Sequence, residues 1–306
     1  PFIALYNGGP AVFRAMGNSE VSMKVSLLMN AINVSGNAIL IYGFHCGTEG
    51  VAIPTLVSRF VAAFIIIKLL LKDKWSLHLE RTYRFNPDWS MIRKILSVGI
   101  PNGLENSMFQ LGKVLVLSLV STFGTYAIAA NAVSNVITLF SILPGQAICL
   151  AVTTVIARCV GAGDYEQAKY YNKKLILLTH IGMAITIFIV FITLPFILKV
   201  YNLSEAASEA TRHIIWFHGF CAILIWAESF TLPATFRACG DAKACMIIST
   251  VSMWIFRVGA SYILGKNLGL GVFGVWVAMI IDWAFRSLLF GIRYFSGKWK
   301  KHALVS

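Results

Sequence analysis

The chain has 306 residues, of which 58% are hydrophobic and only 13% charged, and its formal net charge is +13. Its mean hydropathy of +0.74 is too high for a single soluble core, because a folded soluble protein needs more polar residues to cover its surface. The composition therefore excludes an ordinary soluble domain and predicts a chain embedded in a lipid bilayer.

The apolar segments predict an all-α, polytopic membrane bundle. Only helices and closed barrels satisfy their backbone polar groups in lipid, and these segments lack the alternation of strands. Eight of them are long enough to cross a bilayer, and they begin near Val25, Val51, Ile95, Tyr126, Leu175, Ile214, Met246 and Val272.

The positive charge indicates membrane topology. Lysine and arginine cluster in every second connection between the predicted spans and after the last one. These connections and the C-terminus are therefore expected to be cytoplasmic. Basic loops beside anionic lipids account for the net charge, so we expect membrane lipids and no nucleic acid as partners. The six cysteines form no C-x-x-C pair, which gives no sign of a zinc site.

A short motif near the N-terminus returns late in the chain. Residues 13–17, Phe-Arg-Ala-Met-Gly, recur as Phe-Arg-Ala-Cys-Gly at 236–240, and a similar apolar segment follows each copy. An even number of predicted spans separates the copies, so the two halves should be parallel and related by an axis along the membrane normal. The sequence thus predicts two related helical lobes.

The offset between the copies also predicts domain boundaries. Residues 1–72 correspond to an incomplete N-terminal lobe with the end of helix four and helices five and six. Residues 73–93 would be a cytoplasmic linker, 94–297 the C-terminal lobe with helices seven to twelve, and 298–306 a cytoplasmic tail. We therefore expect eight full spans and a partial one, from an N-terminally truncated twelve-helix protein.

Several segments, in this order, resemble the multidrug and toxic compound extrusion (MATE) family of bacterial type. They are FRAMGNSEVSMKV at 13–25, GIPNGLENSMFQLGKVL at 99–115, FGTYAIAANAV at 123–133, VGAGDYEQAK at 160–169, FTLPATFRACGDAK at 230–243, and SMWIFRVGASYIL with GVFGVWVAMIIDWAFR between 252 and 286. The resemblance implies a secondary transporter and not an enzyme. It implies an antiporter that exports organic, often cationic, drugs or toxic metabolites by alternating access.

The same resemblance implies that sodium ions or protons drive export and that no other cofactor or metal is needed. The expected partner is a small-molecule substrate, and the expected form is a monomer in the bacterial cytoplasmic (inner) membrane, crossing it several times.

Carboxylates within apolar spans are costly and are therefore candidates for ion or substrate binding. Glu105 lies one helical turn after Pro101, where a kink would free a backbone carbonyl group; its alternative role is an ion pair with Lys113. In one branch of the resembled family, the glutamate of this helix stands where this chain has Phe109.

Glu228, in the tenth helix, is a second candidate for ion or substrate binding. Its alternative role is an ordinary buried pair.

Asp282 is the third candidate for coupling. It lies in the last span, four residues before Arg286 and opposite Arg257 in the preceding span. An ion pair that fixes the packing of the bundle is the favoured interpretation.

A sodium site is a further possibility in the first lobe. Asn33 and Asn37 share a helix face, and Thr55 stands near the start of the next span. Their oxygens could replace water around a hard cation, although hydrogen bonds between helices are the alternative. The resemblance implies a polar pair and a threonine at this spacing, but the second position is often aspartate in the family and is Asn37 here.

Two other functions have some support in the sequence. Residues 161–164, Gly-Ala-Gly-Asp, match a motif of intramembrane aspartyl proteases, but the polar residues that follow indicate a turn and a helix start. A flippase for lipid-linked oligosaccharides, from the same superfamily, would need a cavity lined by arginine. Arg59, Lys113 and Arg257 are the cationic residues well within the predicted spans.

Five aromatic residues could line a drug cavity or face lipid: Phe109, Phe140, Phe220, Trp226 and Phe230.

Overall fold

A computed structural model describes residues 2–72, 74–79 and 87–302, and within these residues the regular structure is helical. The chain divides into two compact units, Pro1–Pro87 and Asp88–Ser306. The α-helices are α1 Phe2–Ala15, α2 Ser19–Ala38, α3 Glu49–Leu70, α4 Trp89–Ser121, α5 Thr125–Gly161, α6 Tyr165–Tyr201, α7 Glu205–Trp226, α8 Leu232–Ala238, α9 Ala242–Ser252 and α10 Gly271–Phe295. The prediction of an all-α fold is confirmed.

The first unit packs α1, α2 and α3 around a small apolar core. Phe13 and Ile66 are fully buried in it. Gly36 of α2 lies directly against Pro54 of α3, where a side-chain carbon on the glycine would come within 2.7 Å of the proline ring. This close approach brings the polar residues of α2 beside those of α3.

The second unit contains α4 to α10. Asp88 begins α4 as its N-cap and accepts hydrogen bonds from the backbone N–H groups of Ser90 and Met91 at 2.9 and 3.1 Å. Three π-helical segments interrupt the later helices, at Ala227–Thr231, Met253–Gly259 and Tyr262–Asn267. Such segments change the direction of side chains within a helix and are frequent at functional sites.

Seven helical segments of the described residues are long and apolar enough to cross a membrane, one fewer than predicted. The difference is the segment near Ile95, which belongs to the 33-residue helix α4. That helix is long enough to cross a membrane, but Asn102, Glu105, Asn106 and Gln110 lower its mean hydropathy below that of the other segments. The other seven predicted spans each fall within one of these segments.

The repeated motif has the same geometry in both copies. Gly17 and Gly240 end α1 and α8 with φ angles of 82° and 85°, in the left-handed region that favours glycine. In each copy the residue after the glycine donates a backbone hydrogen bond of 2.9 Å to the phenylalanine carbonyl five positions earlier. The two copies therefore share a Schellman cap, which agrees with a duplicated origin.

The predicted linker and tail are only partly described. Residues 73 and 80–86 of the linker, and residues 303–306 of the tail, lie outside the described residues. Helix α4 begins at Trp89, within the range predicted as linker, because Asp88 caps it. In the tail, Trp299 is buried and its ring stacks on that of Tyr294 at 5.6 Å.

Candidate functional site

Glu105 is buried in α4, and its partner is Arg237. Its Oε1 accepts a hydrogen bond from Arg237 Nη2 at 2.7 Å, while its buried Oε2 has no hydrogen-bond partner among the described residues. The predicted alternative partner, Lys113, makes no ion pair with it; the Lys113 ammonium group instead lies over the ring of Phe109. Sequence reasoning missed this contact, which joins residues 132 positions apart.

Asp282 is fully buried but is not paired as predicted. Its Oδ1 accepts a hydrogen bond of 2.5 Å from Ser252 Oγ, and its Oδ2 has no partner among the described residues. Neither Arg257 nor Arg286 makes an ion pair with it within 4.0 Å in this part of the chain. The Arg286 side chain turns toward Phe230 and that of Arg257 toward Phe109, with guanidinium carbons 4.7 and 5.4 Å from the ring centres.

Three cationic groups surround the ring of Phe109. Lys113 Nζ lies 5.2 Å from the ring centre, and the guanidinium carbons of Arg257 and Arg286 lie 5.4 and 5.8 Å from it. Cation–π attraction accounts for these contacts, but three like charges around one ring also repel one another. Three cationic groups therefore lie around one aromatic ring, and Lys113, Arg257 and Arg286 make no ion pair within 4.0 Å among the described residues.

His180 and Glu228 form a second polar pair. His180 Nδ1 lies 2.6 Å from the carbonyl oxygen of Ile223, and its Nε2 lies 3.0 Å from Glu228 Oε1. A carbonyl oxygen only accepts, so Nδ1 carries a hydrogen and a neutral imidazole would then offer a lone pair at Nε2. The contact between Nε2 and the carboxylate thus requires one further proton, held on the imidazole or on Glu228.

This pair is half-buried and lies at an irregular point of the helix. The His180 and Glu228 side chains are 26% and 32% exposed, and Glu228 belongs to the π-helical segment Ala227–Thr231. Sequence reasoning named Glu228 but missed His180, although an ionisable residue inside the span of α6 carries the same signal.

The predicted oxygen cluster of the first unit is assembled in the structure. Asn33 Nδ2 donates to Thr55 Oγ1 at 3.0 Å, Asn37 Nδ2 donates to Asn33 Oδ1 at 3.3 Å, and Thr55 Oγ1 donates to the carbonyl oxygen of Val51 at 2.7 Å. The side-chain oxygens of Asn33 and Thr55 are therefore already engaged. Asn37 Oδ1 is buried without a hydrogen-bond partner among the described residues.

Besides Phe109, which contacts the cationic side chains, the other four aromatic candidates form two groups. Phe140 and Phe220 are 62% and 59% exposed, as expected for side chains that face lipid. Trp226 and Phe230 stack with ring centres 5.0 Å apart inside the second unit.

Asp164 of the Gly-Ala-Gly-Asp motif is an N-cap. Its Oδ1 accepts a hydrogen bond from the Gln167 backbone N–H at 2.8 Å at the start of α6. This position agrees with the interpretation of the motif as a turn and a helix start.

Comparisons with known proteins agree on one family. Residues 101–263 match the sequence model of the family described as MatE. The chain is 27% identical over 301 residues to a probable multidrug resistance protein NorM of Thermotoga maritima, covering 97% of this chain and 64% of that relative. It is 26% identical over 297 residues to an uncharacterized transporter, YisQ, of Bacillus subtilis, covering 94% of this chain and 64% of that relative. The chain thus spans 64% of the length of each of these curated relatives.

A solved structure shows the same fold. It is the outward-facing conformation of a multidrug resistance MATE family transporter of the MOP superfamily. The two chains superpose with a TM-score of 0.89 at 20% sequence identity, over 98% of this chain and 67% of the other.

Proposed function

Because the chain belongs to the MatE family, whose members are secondary transporters and not enzymes, we propose that the complete protein exports small organic compounds across a bacterial cytoplasmic membrane. Relatives named as multidrug resistance proteins support the export of drug-like compounds. The seven apolar helical segments support a protein that crosses the membrane several times. The basic residues near the end of the chain favour a cytoplasmic C-terminus.

We propose that protons drive this export by antiport, and the His180–Glu228 pair is the observation that carries the proposal. Its geometry requires one shared proton, as the two contacts of the imidazole ring show. No other charged side chain of the described residues lies within ion-pair distance of either group. Without that proton, the Glu228 carboxylate would face the lone pair of His180 Nε2, and the two would repel each other. The side chains would then move apart, so that protonation of the pair is coupled to its conformation.

The first unit gives weaker support to sodium as the coupling ion. A sodium ion there would have to displace the hydrogen bond from Asn33 to Thr55 between α2 and α3, and the one from Thr55 to Val51 within α3. Each of these side chains is neutral, whereas tight cation sites usually include carboxylates. We therefore interpret Asn33, Asn37 and Thr55 as a hydrogen-bonded contact between helices.

Glu105 and Asp282 have supporting roles in the proposal. Glu105 neutralises Arg237 in the interior of the second unit. Asp282 keeps one carboxylate oxygen without a hydrogen-bond partner in the described chain, so it can take up a proton or contact a substrate when the helices move.

Transport in proteoliposomes tests the coupling ion. Ethidium transport by the full-length protein would be measured under an imposed pH gradient and, separately, under a sodium gradient. Glu228→Gln and His180→Gln should lose most of the pH-driven transport while still binding ethidium. Glu209→Gln and His213→Gln are matched controls, because both residues are exposed on α7. Wild-type transport driven by sodium alone, or full pH-driven transport by Glu228→Gln, would overturn the proposal.

A second candidate function is the movement of a lipid-linked anionic compound. The observation that favours it is the group of cations around Phe109, namely Lys113, Arg257 and Arg286. Such a transporter would bind the phosphate of its substrate with these groups.

A further inference from the structure

A small cavity in the second unit is built for negative charge. It has a volume of about 190 Å³, and its polar wall consists of Lys113, Asn131, Asn135, Arg257 and Trp276. Its remaining wall is apolar. Drug-sized ligands usually occupy about 300 to 1,000 Å³, so this cavity has room for a head group and not for a whole molecule of that size.

The two cations of the cavity have unused hydrogen-bond donors. The side chains of Arg257 and Lys113 make no hydrogen bond or ion pair with another described residue, and both contact the face of Phe109. A guanidinium group has five N–H donors and an ammonium group has three. Arg257 also lies in the π-helical segment Met253–Gly259, an irregularity of the kind that often marks a binding site.

The amide groups complete the set of donors. Asn131 Oδ1 accepts a hydrogen bond from Trp276 Nε1 at 3.2 Å, which leaves the amide nitrogen of Asn131 available to the cavity. Asn135 Nδ2 donates to the backbone carbonyl oxygen of Asn131 at 2.7 Å and so holds its side chain in place.

The carboxylates of the second unit make no ion pair within 4.0 Å with these cations among the described residues. Glu105 is bound to Arg237, and the fully buried Asp282 accepts its hydrogen bond from Ser252 instead. Arg286, on the same aromatic ring, adds a further positive charge. A cationic ligand would be repelled here, whereas an oxyanion would bridge the like charges and relieve their repulsion.

We propose that this cavity binds the oxyanion of an organic substrate, a carboxylate or a phosphate, with Arg257 and Lys113 as its charged contacts. Arg257 offers two parallel N–H groups to the oxyanion, and Lys113 offers a point charge. The indole ring of Trp276 and the side chain of Met279 form an apolar wall beside the charged groups. This site rests on the proposed transport function and adds organic anions to the compounds that the protein would carry.

Equilibrium binding to the purified full-length protein tests the site, with carboxyfluorescein as the anionic probe and its fluorescence anisotropy as the signal. Arg257→Gln and Lys113→Met should each weaken binding by about 10- to 100-fold, because each removes charge-assisted hydrogen bonds from the cavity. Arg257→Lys should bind with intermediate affinity. Arg212→Gln and Lys199→Met are matched controls at exposed residues, and their affinity should equal that of the wild type.

Competition identifies the source of the oxyanion. Displacement of the probe by benzoate indicates a small carboxylate substrate, and displacement only by a polyprenyl phosphate indicates a lipid-linked one. Either result supports the site. Lys113 is exposed, so Lys113→Met should keep the wild-type melting temperature and remain informative even if Arg257→Gln is poorly folded. Absence of probe binding by the wild type, or wild-type affinity in both Lys113→Met and a folded Arg257→Gln, would overturn the inference.

The two proposals can fail separately. Ethidium export by a wild-type protein that does not bind carboxyfluorescein would remove the oxyanion site and leave the transport function. Probe binding that depends on Arg257, in a protein that transports no compound under either gradient, would remove the transport function and leave the site.

Discussion

The buried Glu105–Arg237 pair gives a stability prediction that can be worked from its geometry. Glu105→Gln keeps the shape of the side chain and one oxygen acceptor but removes the negative charge. The carboxylate is 8% exposed, and its Oε1 lies 2.7 Å from Arg237 Nη2. With charge centres about 4 Å apart, the gross attraction is roughly 4 kcal/mol at an effective dielectric constant of about 20.

Desolvation offsets part of this attraction. A hydrogen bond to a charged group contributes about 1.5 to 3 kcal/mol net. Arg237 is 26% exposed and can be partly hydrated, and Glu105 Oε2 already lacks a hydrogen-bond partner among the described residues. We therefore expect the lower part of this range, about 2 kcal/mol, for the loss of unfolding free energy in Glu105→Gln.

A double-mutant cycle measures this quantity. Unfolding in mixed micelles of a mild detergent and dodecyl sulfate would be followed by tryptophan fluorescence for Glu105→Gln, Arg237→Gln and the double variant. The coupling energy should be about 2 kcal/mol. Glu166→Gln is the control, because the Glu166–Lys169 pair has a similar distance of 2.6 Å but is exposed, and it should cause no measurable change. Additive effects of the two single substitutions would refute the reasoning.

Two glycine predictions follow from packing and backbone geometry. Gly145→Ala should lower the unfolding free energy by about 1 to 3 kcal/mol, because its new methyl group would collide with the ring of Trp226. Gly161 has open space around it, so Gly161→Ala is the control and should be neutral or slightly stabilising in the same assay. Gly17→Ala and Gly240→Ala should each cost about 1 kcal/mol, because alanine is strained at φ angles of 82° and 85°. A loss at only one of these two positions would contradict their equivalence.

The sequence was sufficient to predict the class of fold and the presence of a repeat. Apolar segments of the right length give helices in a bilayer regardless of how they pack, and the motif around Gly17 and Gly240 determines its own cap through local backbone geometry. The predicted number of spans differs at α4, because Asn102, Glu105, Asn106 and Gln110 interrupt its apolar pattern.

The candidate site could be predicted only in its parts. Glu105, Glu228 and Asp282 could be identified as candidates because they are ionisable residues inside apolar spans. Their partners depend on how the helices pack and how side chains turn, which the sequence does not encode locally. Arg286, four residues after Asp282, was the obvious partner, yet its side chain extends to Phe230.

The proposal that protons drive export through His180 and Glu228 is tested most directly by proton release. Saturating ethidium would be added to the full-length protein in weakly buffered detergent solution, and the pH would be followed with an indicator dye. If substrate and proton compete, the wild type should release about one proton per protein, and Glu228→Gln should release none. Equal release by the wild type and Glu228→Gln, or no release by the wild type, would contradict the account.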